Sequence, residues 1–334
     1  MTELAVSETV LVPDITDTGP EPAVALGRSA RLATSADLYR RWERQQWSVA
    51  QVDPARDAAA WAALSPFSRG QMLSALGELE VGEVCVTHTL GSLVEFPPTE
   101  DDRIYLCTQL ADEARHVRFF QTYLQEACGI DMGGESATEL EGSADYARVF
   151  APELTRVTAS VRDTGGDPSQ WYRALVYYHL VTEGVLAATA LRTTRMLARR
   201  LKLAALDEGL TNVTRDESRH VSFGLRAATD GVARGYGQVV SDAHFEAIGM
   251  AGWVLIGPAE LSPAPVLRSA LRSWAGQLQA QVDIAEERLL KQLRLIGLGQ
   301  LSDRAKTAWR QAVGTALDAY EQRWDAPHPL RAAA

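Results

Sequence analysis

The sequence is poor in cysteine, in histidine and in basic residues relative to acidic ones. Its 334 residues include 3 cysteines, which are too few for a disulfide framework and suit a reducing compartment. The 33 Lys and Arg residues are outnumbered by 43 Asp and Glu residues, which gives a net charge of -10. Nucleic acids and anionic membranes bind basic surfaces, so we expect neither as a partner.

The sequence also lacks the pattern of a secretory leader and of a membrane span. Residues 1–33 are acidic, rich in Thr, Pro and Gly, and without hydrophobic periodicity, which predicts a mobile N-terminal tail. The longest strongly apolar run, residues 247–256, is too short to cross a bilayer. These features predict a cytoplasmic protein without membrane insertion.

Helix-forming residues dominate the rest of the chain, whereas β-branched alternation is scarce. Long helices are predicted over residues 66–94, 100–127, 168–199 and 202–228, with two more helical stretches over 264–295 and 303–323. Two pairs of long helices joined by a long crossover are typical of a ferritin-like bundle. The predicted fold class is therefore all-α.

We predict one domain over residues 34–325, in which a ferritin-like metal-binding core spans 66–228 and accessory helices span 240–325. The prediction of a metal rests on an internal repeat. Residues 112–116 read Asp-Glu-Ala-Arg-His, and residues 216–220 read Asp-Glu-Ser-Arg-His. Residues three apart on a helix share one face, so each Glu-x-x-His pair can bind a single ion. Two such helices are typical of a dinuclear carboxylate site, which predicts Glu113, His116, Glu217 and His220 as ligands.

Each of the two partner helices should add one glutamate to this site. Glu183 is the only acid in a long apolar run, and a lone buried carboxylate is costly unless a partner or metal neutralises it. The first helix offers Glu78, Glu80 and Glu83. We prefer Glu83, which lies deepest in the apolar run, with Glu80 as the alternative, because position alone does not decide between them.

The remaining histidines and cysteines are expected to be structural. His179 is predicted to be a hydrogen-bonded core residue that points away from the ligands. We expect His244 and His328 to be exposed and Cys107 to be a small buried hydrophobe.

With these motifs, the sequence resembles the ribonucleotide reductase small-subunit superfamily, over about residues 38–225. More narrowly, it resembles the small-subunit-like ligand-binding oxidases, whose site holds a mixed manganese and iron pair. The family's first-helix motif, Gly-Glu-x-x-Val-Thr, matches residues 82–87 and selects Glu83 as a ligand. The resemblance thus implies a manganese and iron cofactor, although two iron ions would use the same ligands.

Further site residues follow from the resemblance alone. In the oxidases, the valine that corresponds to Val86 is joined by an ether bond to a tyrosine that corresponds to Tyr178. On an ideal α-helix, Tyr178 and Glu183 would lie about 140° apart, so periodicity does not predict that both face the metals. The family also connects a tryptophan through an aspartate to the first histidine ligand, and Trp47 and Asp216 occupy the matching positions.

The resemblance implies an oxidoreductase that uses O2, binds a long-chain fatty acid-like ligand, oxidises C–H bonds by two electrons and forms a homodimer. Three alternatives remain open. A radical-generating small subunit usually has a tyrosine one turn after the first histidine, where this chain has Phe120. An arylamine N-oxygenase adds a histidine at the position of Val213, and a ferritin-type storage protein would need no organic ligand.

Overall fold

A computed structural model describes residues 9–11, 30–130, 145–258 and 268–332. The α-helices of this described part are α1 (Ser35–Arg44), α2 (Ala55–Ala63), α3 (Pro66–Thr89), α4 (Gly91–Glu95), α5 (Glu100–Glu126), α6 (Ala151–Asp163), α7 (Pro168–Leu175), α8 (Ala188–Arg200), α9 (Ala204–Gly231), α10 (Gly237–Ile256), α11 (Arg268–Leu295), α12 (Ser302–Trp324) and α13 (Pro329–Ala332). Single 3₁₀ turns occur at Val49–Gln51 and Gly299–Leu301, and π-helical stretches at Tyr146–Phe150, Val176–Ala187 and Val232–Tyr236.

Side-chain caps define where the first two core helices begin. The Ser65 hydroxyl accepts a hydrogen bond from the backbone N–H of Ser68 at 3.1 Å, and proline at the first position of α3 needs no N–H partner. The Thr99 hydroxyl caps α5 in the same way, and three acidic residues in its first turn complement the helix dipole. Both starts agree with the predicted ones.

Four long helical segments form the core, as predicted for a ferritin-like bundle. Helices α3 and α5 pack together as one pair, and α8 and α9 as the other. The connection between the pairs runs from the end of α5 to α7 and includes α6, which packs against α7 and α4. The segment from α7 to α8 is one continuous helical run whose middle, Val176–Ala187, is π-helical and packs against α9.

A carboxylate distant in sequence caps the start of α9. Asp57 of α2 is buried and accepts hydrogen bonds from the backbone N–H groups of Ala205 and Leu206, at 3.1 and 3.0 Å. The Tyr123 hydroxyl of α5 donates to the same carboxylate at 2.9 Å. Because free N–H groups at a buried helix start are costly, this contact fixes α9 against α2 and α5.

The helices that follow α9 pack against the π-helical stretch. Helix α10 contacts Val176–Ala187 and α12, and α11 contacts the same stretch. The Gln292 amide of α11 donates to the Leu180 carbonyl oxygen at 2.7 Å. The accessory helices therefore support one of the core segments directly.

Some predictions are corrected by the structure. Helix α10 was not among the predicted helices. Two three-residue strands, Thr9–Leu11 and Ala30–Leu32, pair in parallel within the predicted tail. They were not predicted, because so short a strand carries no detectable periodicity. His244 and His328 are fully buried, because α10 and the end of the chain pack against neighbouring helices, and Cys107 is exposed on the outer face of α5.

Two helical stretches of the described chain, Pro168–Arg200 and Ala204–Ile256, are long and apolar enough to cross a membrane by composition alone. Of the 18 most apolar consecutive residues, 83% are buried inside the protein in the first stretch and 50% in the second. Both stretches carry predicted metal ligands and pack against each other, as core helices of a bundle do.

Candidate metal centre

The structure brings all six predicted ligand side chains to one buried place between the four core segments. Each of α3, α5, the π-helical stretch and α9 contributes to it. Ligand atoms within 4.8 Å of one another form two groups, one of Glu83, Glu113, His116 and Glu217 and one of Glu113, Glu183 and His220. Since Glu113 belongs to both groups, the arrangement is that of two adjacent ion sites.

The two histidines present the same ring atom to the cluster. His116 Nδ1 lies 3.3 Å from Glu83 Oε2 and 3.3 Å from Glu217 Oε1. His220 Nδ1 lies 3.3 Å from Glu113 Oε1 and 3.3 Å from Glu217 Oε1. The ring centroids are 6.0 Å apart. Glu113 and Glu217 each face both imidazoles, so these carboxylates are placed to bridge two ions.

Several buried atoms of these side chains make no hydrogen bond within the described part of the chain. They are Glu113 Oε2, Glu183 Oε2, Glu217 Oε2 and His220 Nδ1. An unsatisfied buried polar atom is costly, and metal coordination would remove the cost. Carboxylate oxygens and imidazole nitrogens suit iron and manganese, and four carboxylates balance the charge of two divalent ions. The residues present therefore fit a dinuclear centre.

Charge interactions inside the cluster shift the protonation of its members. Burial raises the pKa of Glu83 to about 8, even though His116 acts in the opposite direction. Burial, together with Glu217, also raises the pKa of Glu183. Burial alone would raise the pKa of Glu217 as well, but the two histidines hold it at about 2. The same carboxylates overcome burial and raise the pKa of His116 and of His220.

The aspartates of the repeated pentapeptides cross over between the helices. Asp216 Oδ2 lies 3.3 Å from Nε2 of His116, and Asp112 Oδ2 lies 3.3 Å from Nε2 of His220. A carboxylate at the outer nitrogen fixes the tautomer and leaves the inner nitrogen free for a metal. Each copy of the motif therefore orients the histidine of the other copy, and in both histidines Nδ1 is the ring atom left free for a metal.

One buried guanidinium holds both aspartates. Arg219 Nη2 donates to Asp112 Oδ2 at 2.8 Å and to Asp216 Oδ1 at 2.7 Å, and the side chain is fully buried. Arg115, which is partly exposed, also contacts both carboxylates. Sequence reasoning missed Asp112, Arg115 and Arg219, although both copies of the pentapeptide carry them.

Two tryptophans donate to these aspartates. Trp47 Nε1 donates to Asp216 Oδ2 at 2.7 Å, so the chain Trp47–Asp216–His116 has the connectivity that the resemblance implies. A second tryptophan, Trp42 of α1, donates through Nε1 to Asp112 Oδ1 at 2.9 Å. The chain Trp42–Asp112–His220 thus parallels the first, and the sequence did not predict it.

Tyr178 and Val86 lie next to each other at the edge of the cluster. The Tyr178 hydroxyl donates to the Val86 carbonyl oxygen at 3.2 Å and lies 3.5 Å from Glu113 Oε1. In the π-helical stretch, hydrogen bonds join residues five apart, as from the Ala188 N–H to the Glu183 carbonyl. This geometry turns Tyr178 and Glu183 towards the same side, which an ideal α-helix would not do.

Gln109 is a further residue at the centre that sequence reasoning missed. Its amide nitrogen donates to Glu183 Oε1 at 2.7 Å and lies 3.3 Å from Glu113 Oε1. His179 Nε2 lies 3.0 Å from Oε1 of the Gln109 side-chain amide, which can only accept. Burial lowers the pKa of His179, so a neutral imidazole donates here and sets the amide orientation. His179 is the hydrogen-bonded core residue predicted above.

The three candidate glutamates of α3 have different surroundings. Glu83 faces His116, whereas Glu80 is buried outside both groups of ligand atoms and Glu78 is exposed. Burial raises the pKa of Glu80. The preferred candidate is therefore the one that the structure brings to the cluster.

Comparison with known proteins agrees with this fold. The family model described as ribonucleotide reductase, small chain, matches residues 31–235. Among solved structures, a variant of an R2-like ligand-binding oxidase with anaerobically reconstituted Mn/Fe cofactor is similar at a TM-score of 0.60 and 20% identity, over 82% of this chain and 92% of that one. An R2-like ligand-binding oxidase from Sulfolobus acidocaldarius is similar at a TM-score of 0.59 and 22% identity, over 76% and 90%.

Proposed function

Since the chain belongs to the ribonucleotide reductase small-chain family, we propose that it is an O2-dependent oxidoreductase with a manganese and an iron ion. Glu83, Glu113 and His116 would hold one ion, and Glu183, Glu217 and His220 the other. Two of the similar solved structures are variants of an R2-like ligand-binding oxidase with a reconstituted Mn/Fe cofactor, and the hard ligand set supports the same metals here. When bound, such a pair supplies oxygen activation, while two iron ions would use the same ligands.

The contact between Tyr178 and Val86 carries the more specific proposal, which is a two-electron oxidation that joins them by an ether bond. Both side chains are buried beside the ligand cluster, and the tyrosine hydroxyl already contacts the Val86 backbone. Burial raises the pKa of Tyr178, so the hydroxyl keeps its proton before the reaction. Glu113 Oε1, at 3.5 Å, is placed to accept that proton.

A radical-generating role for a large reductase subunit has less support. The side chain one turn after His116 is Phe120, which is fully buried and has no hydroxyl group to hold a radical. Phe120 packs on Phe119, as a core residue does. The absence of a tyrosine at this position favours the oxidase.

We propose that a long-chain fatty acid-like ligand binds with its carboxylate at the metals. Four glutamates neutralise two divalent ions, but they leave a charge of about +2 on a pair of trivalent ions. A buried charge of this size is costly unless it is compensated. An anionic head group would reduce that excess. Organic extraction of the purified protein, followed by mass spectrometry, should recover a fatty acid in the metal-loaded protein and none in Glu183→Ala.

We also propose a cytoplasmic homodimer. Exposed residues at helical spacing, Ile104, Cys107, Ala111 and Ala114, form an apolar face on the outside of α5. Two copies of this face could pack against each other about a two-fold axis. Sedimentation should give a dimer for the native chain and a monomer for Ala111→Arg. If Ala111→Arg is still a dimer, the interface lies on another surface.

Peptide mass spectrometry tests the central proposal. The protein is loaded anaerobically with manganese and iron and then exposed to air, which should yield a linked peptide pair, Val86 with Tyr178, lighter by two hydrogens. Tyr178→Phe should bind both metals without forming the link. Tyr177→Phe is the matched control, because Tyr177 donates to Glu246 instead and its loss should leave the link intact. Metal oxidation without any link in the native protein would overturn the proposal.

A further inference from the structure

The proposed reaction needs electrons from outside the substrate. Joining Val86 and Tyr178 releases two electrons and two protons, whereas reduction of O2 to two water molecules takes four of each. The balance is O2 + Val–H + Tyr–OH + 2 electrons + 2 protons, which gives the ether and two water molecules. Repeated two-electron oxidation of a C–H substrate has the same requirement when O2 is reduced to two water molecules, so for such a cycle the protein must receive two electrons.

Two hydrogen-bonded chains lead from the histidines towards the outside, and they end differently. Trp47 is almost fully buried, and the guanidinium of Arg115 lies over its ring at 5.1 Å. Trp42 is partly exposed on α1, with its ring 5.9 Å from that of Tyr39. From Trp42, only Asp112 separates the surface from His220, with contacts of 2.9 and 3.3 Å.

The helix that carries Trp42 has more basic than acidic side chains, Arg40, Arg41 and Arg44 against Asp37 and Glu43, although the whole chain has a net charge of -10. Arg41 and Arg44 flank Trp42 in the last turn of α1, and Arg215 donates to the Gln45 carbonyl at the end of this helix. No salt bridge within the described residues involves these three arginines, whereas Arg40 is paired with Asp37. We call Trp42, Arg41, Arg44 and Arg215 the Trp42 patch.

We propose that the Trp42 patch is the docking surface for an acidic one-electron carrier protein. Electrons enter through Trp42, Asp112 and His220, one from each carrier molecule, and each reduced carrier leaves oxidised by one electron, so two carriers supply one cycle. The proposal rests on the proposed function, because only a redox centre needs such a supply. Basic residues at the end of a helix also complement its dipole, which would account for Arg41 and Arg44 without a partner protein. That role does not explain why the indole of Trp42 is hydrogen-bonded to Asp112.

A metal-free experiment tests the charge at the entry point. The fluorescence of Trp42 is obtained as the difference between the native protein and Trp42→Phe, and is quenched with iodide or with caesium. With each ion referred to its quenching of free N-acetyltryptophanamide, iodide should quench Trp42 several-fold more strongly than caesium, because the patch attracts anions. Arg41→Gln/Arg44→Gln should remove this preference. Equal quenching by both ions on that scale in the native protein would overturn a basic docking surface.

A kinetic experiment tests the path. A reduced plant-type two-iron ferredoxin, which is acidic, is mixed anaerobically with oxidised, metal-loaded protein, and its own reoxidation is followed by absorbance. The second-order rate constant should fall with salt and should drop about tenfold in Arg41→Gln/Arg44→Gln, in keeping with electrostatic steering. Trp42→Phe should lower the rate while leaving its salt dependence unchanged. Trp253→Phe is the matched control, because its indole donates to Asp145 and belongs to neither chain, and it should not lower the rate. Trp47→Phe tests the other chain.

The outcomes separate this inference from the proposed function. A single turnover that starts from divalent ions needs no carrier, so the Val86–Tyr178 link should form normally in Arg41→Gln/Arg44→Gln. If the link fails even in the native protein, the proposed function is wrong. If the link forms but Trp42→Phe accepts electrons at the native rate, or Trp47→Phe shows the loss instead, the Trp42 path is wrong. Metal stoichiometry and circular dichroism show whether each variant is folded.

Discussion

Arg219 offers the sharpest test of how the two ion sites are connected. Its guanidinium is fully buried and donates to both Asp112 and Asp216, the carboxylates that orient the two histidines. In Arg219→Gln these carboxylates lose a buried cation. Breaking a buried ion pair from one side costs about 3–5 kcal/mol. Because Arg115 also contacts both aspartates, we expect the lower end, about 3 kcal/mol, in the free energy of unfolding of the metal-free protein.

The same substitution should weaken both metal sites together. Loss of a group that orients a metal-binding histidine typically lowers metal affinity about 10–100-fold. Since one guanidinium serves the partner of each histidine, the affinities for both ions should fall in Arg219→Gln. Removal of an aspartate differs: Asp216→Asn should act mainly on the ion held by His116.

Urea unfolding followed by circular dichroism measures the stability of the metal-free protein, and competition with a chromophoric chelator measures the two metal affinities. Arg118→Gln is the control, because Arg118 lies exposed on α5, close in sequence to His116. The reasoning fails if Arg219→Gln behaves like this control, or if only one of the two ions loses affinity.

Three further predictions concern the helices and protons around the centre. Asp57→Ala should lower the free energy of unfolding by about 2–4 kcal/mol, because α9 loses its cap and a buried tyrosine hydroxyl loses its acceptor; Asp163→Ala, at the exposed end of α6, should change it little. Gly224→Ala would place a Cβ 2.4 Å from Cβ of His179, so calorimetry should show a loss of about 1–3 kcal/mol and metal titration a weaker centre; Gly70→Ala, which meets nothing within 4 Å, should show neither. The raised pKa of both histidines stabilises the metal-free fold fully below about pH 6.5, and the raised pKa of Glu83 does so fully below about pH 4.3; each contribution is lost as the pH rises through the folded pKa. Ligands must lose these protons to bind metal, so as the pH rises from about 6.5 unfolding should become easier while metal affinity rises, and loading should release protons to a pH indicator.

Four ligands were predictable from spacing, because a Glu-x-x-His pair on a helix needs only local geometry to share a face. Glu183 was predictable from the free-energy cost of burying an unpaired carboxylate, since it is the lone acid in an apolar run. The choice of Glu83 needed the resemblance, because three glutamates follow one another along α3 and burial depends on which helix packs there. The structure shows this dependence directly: Glu78 is exposed, whereas Glu80 and Glu83 are buried.

The aspartate and arginine of the repeat carried a signal that local geometry could not interpret. Asp112 lies four residues before His116 on the same helix, which suggests a pairing within one copy. The structure instead pairs it with His220 of the other copy, since the two outer nitrogens face across the gap between α5 and α9. Such a crossed pairing depends on how two helices are rotated against each other, and the sequence of either helix alone does not contain that rotation.

The position of Tyr178 relative to Glu183 was unpredictable for a related reason. Ideal helical geometry separates them, and only the π-helical stretch turns them to one side. Contacts from elsewhere in the chain accompany this unusual geometry. The Thr182 hydroxyl donates five residues back, to the Tyr177 carbonyl, and Gln292 donates to the Leu180 carbonyl from a helix more than 100 residues away. A Cβ at Gly184 would lie 2.4 Å from the Gln292 amide nitrogen, so glycine there allows the contact.

The accessory helices therefore bear on the reaction as well as on stability. If Gln292 helps to hold the π-helical stretch, its loss should let Tyr178 turn away from Val86 while the ligands on α5 and α9 stay in place. Gln292→Leu should then bind both metals and yield less Val86–Tyr178 link than the native chain, measured on the same peptides. Gln279→Leu, on the same helix but bonded only to the nearby Asp283 in the described contacts, should leave the link unchanged. An undiminished link in Gln292→Leu would mean that the core segments alone maintain the π-helical geometry.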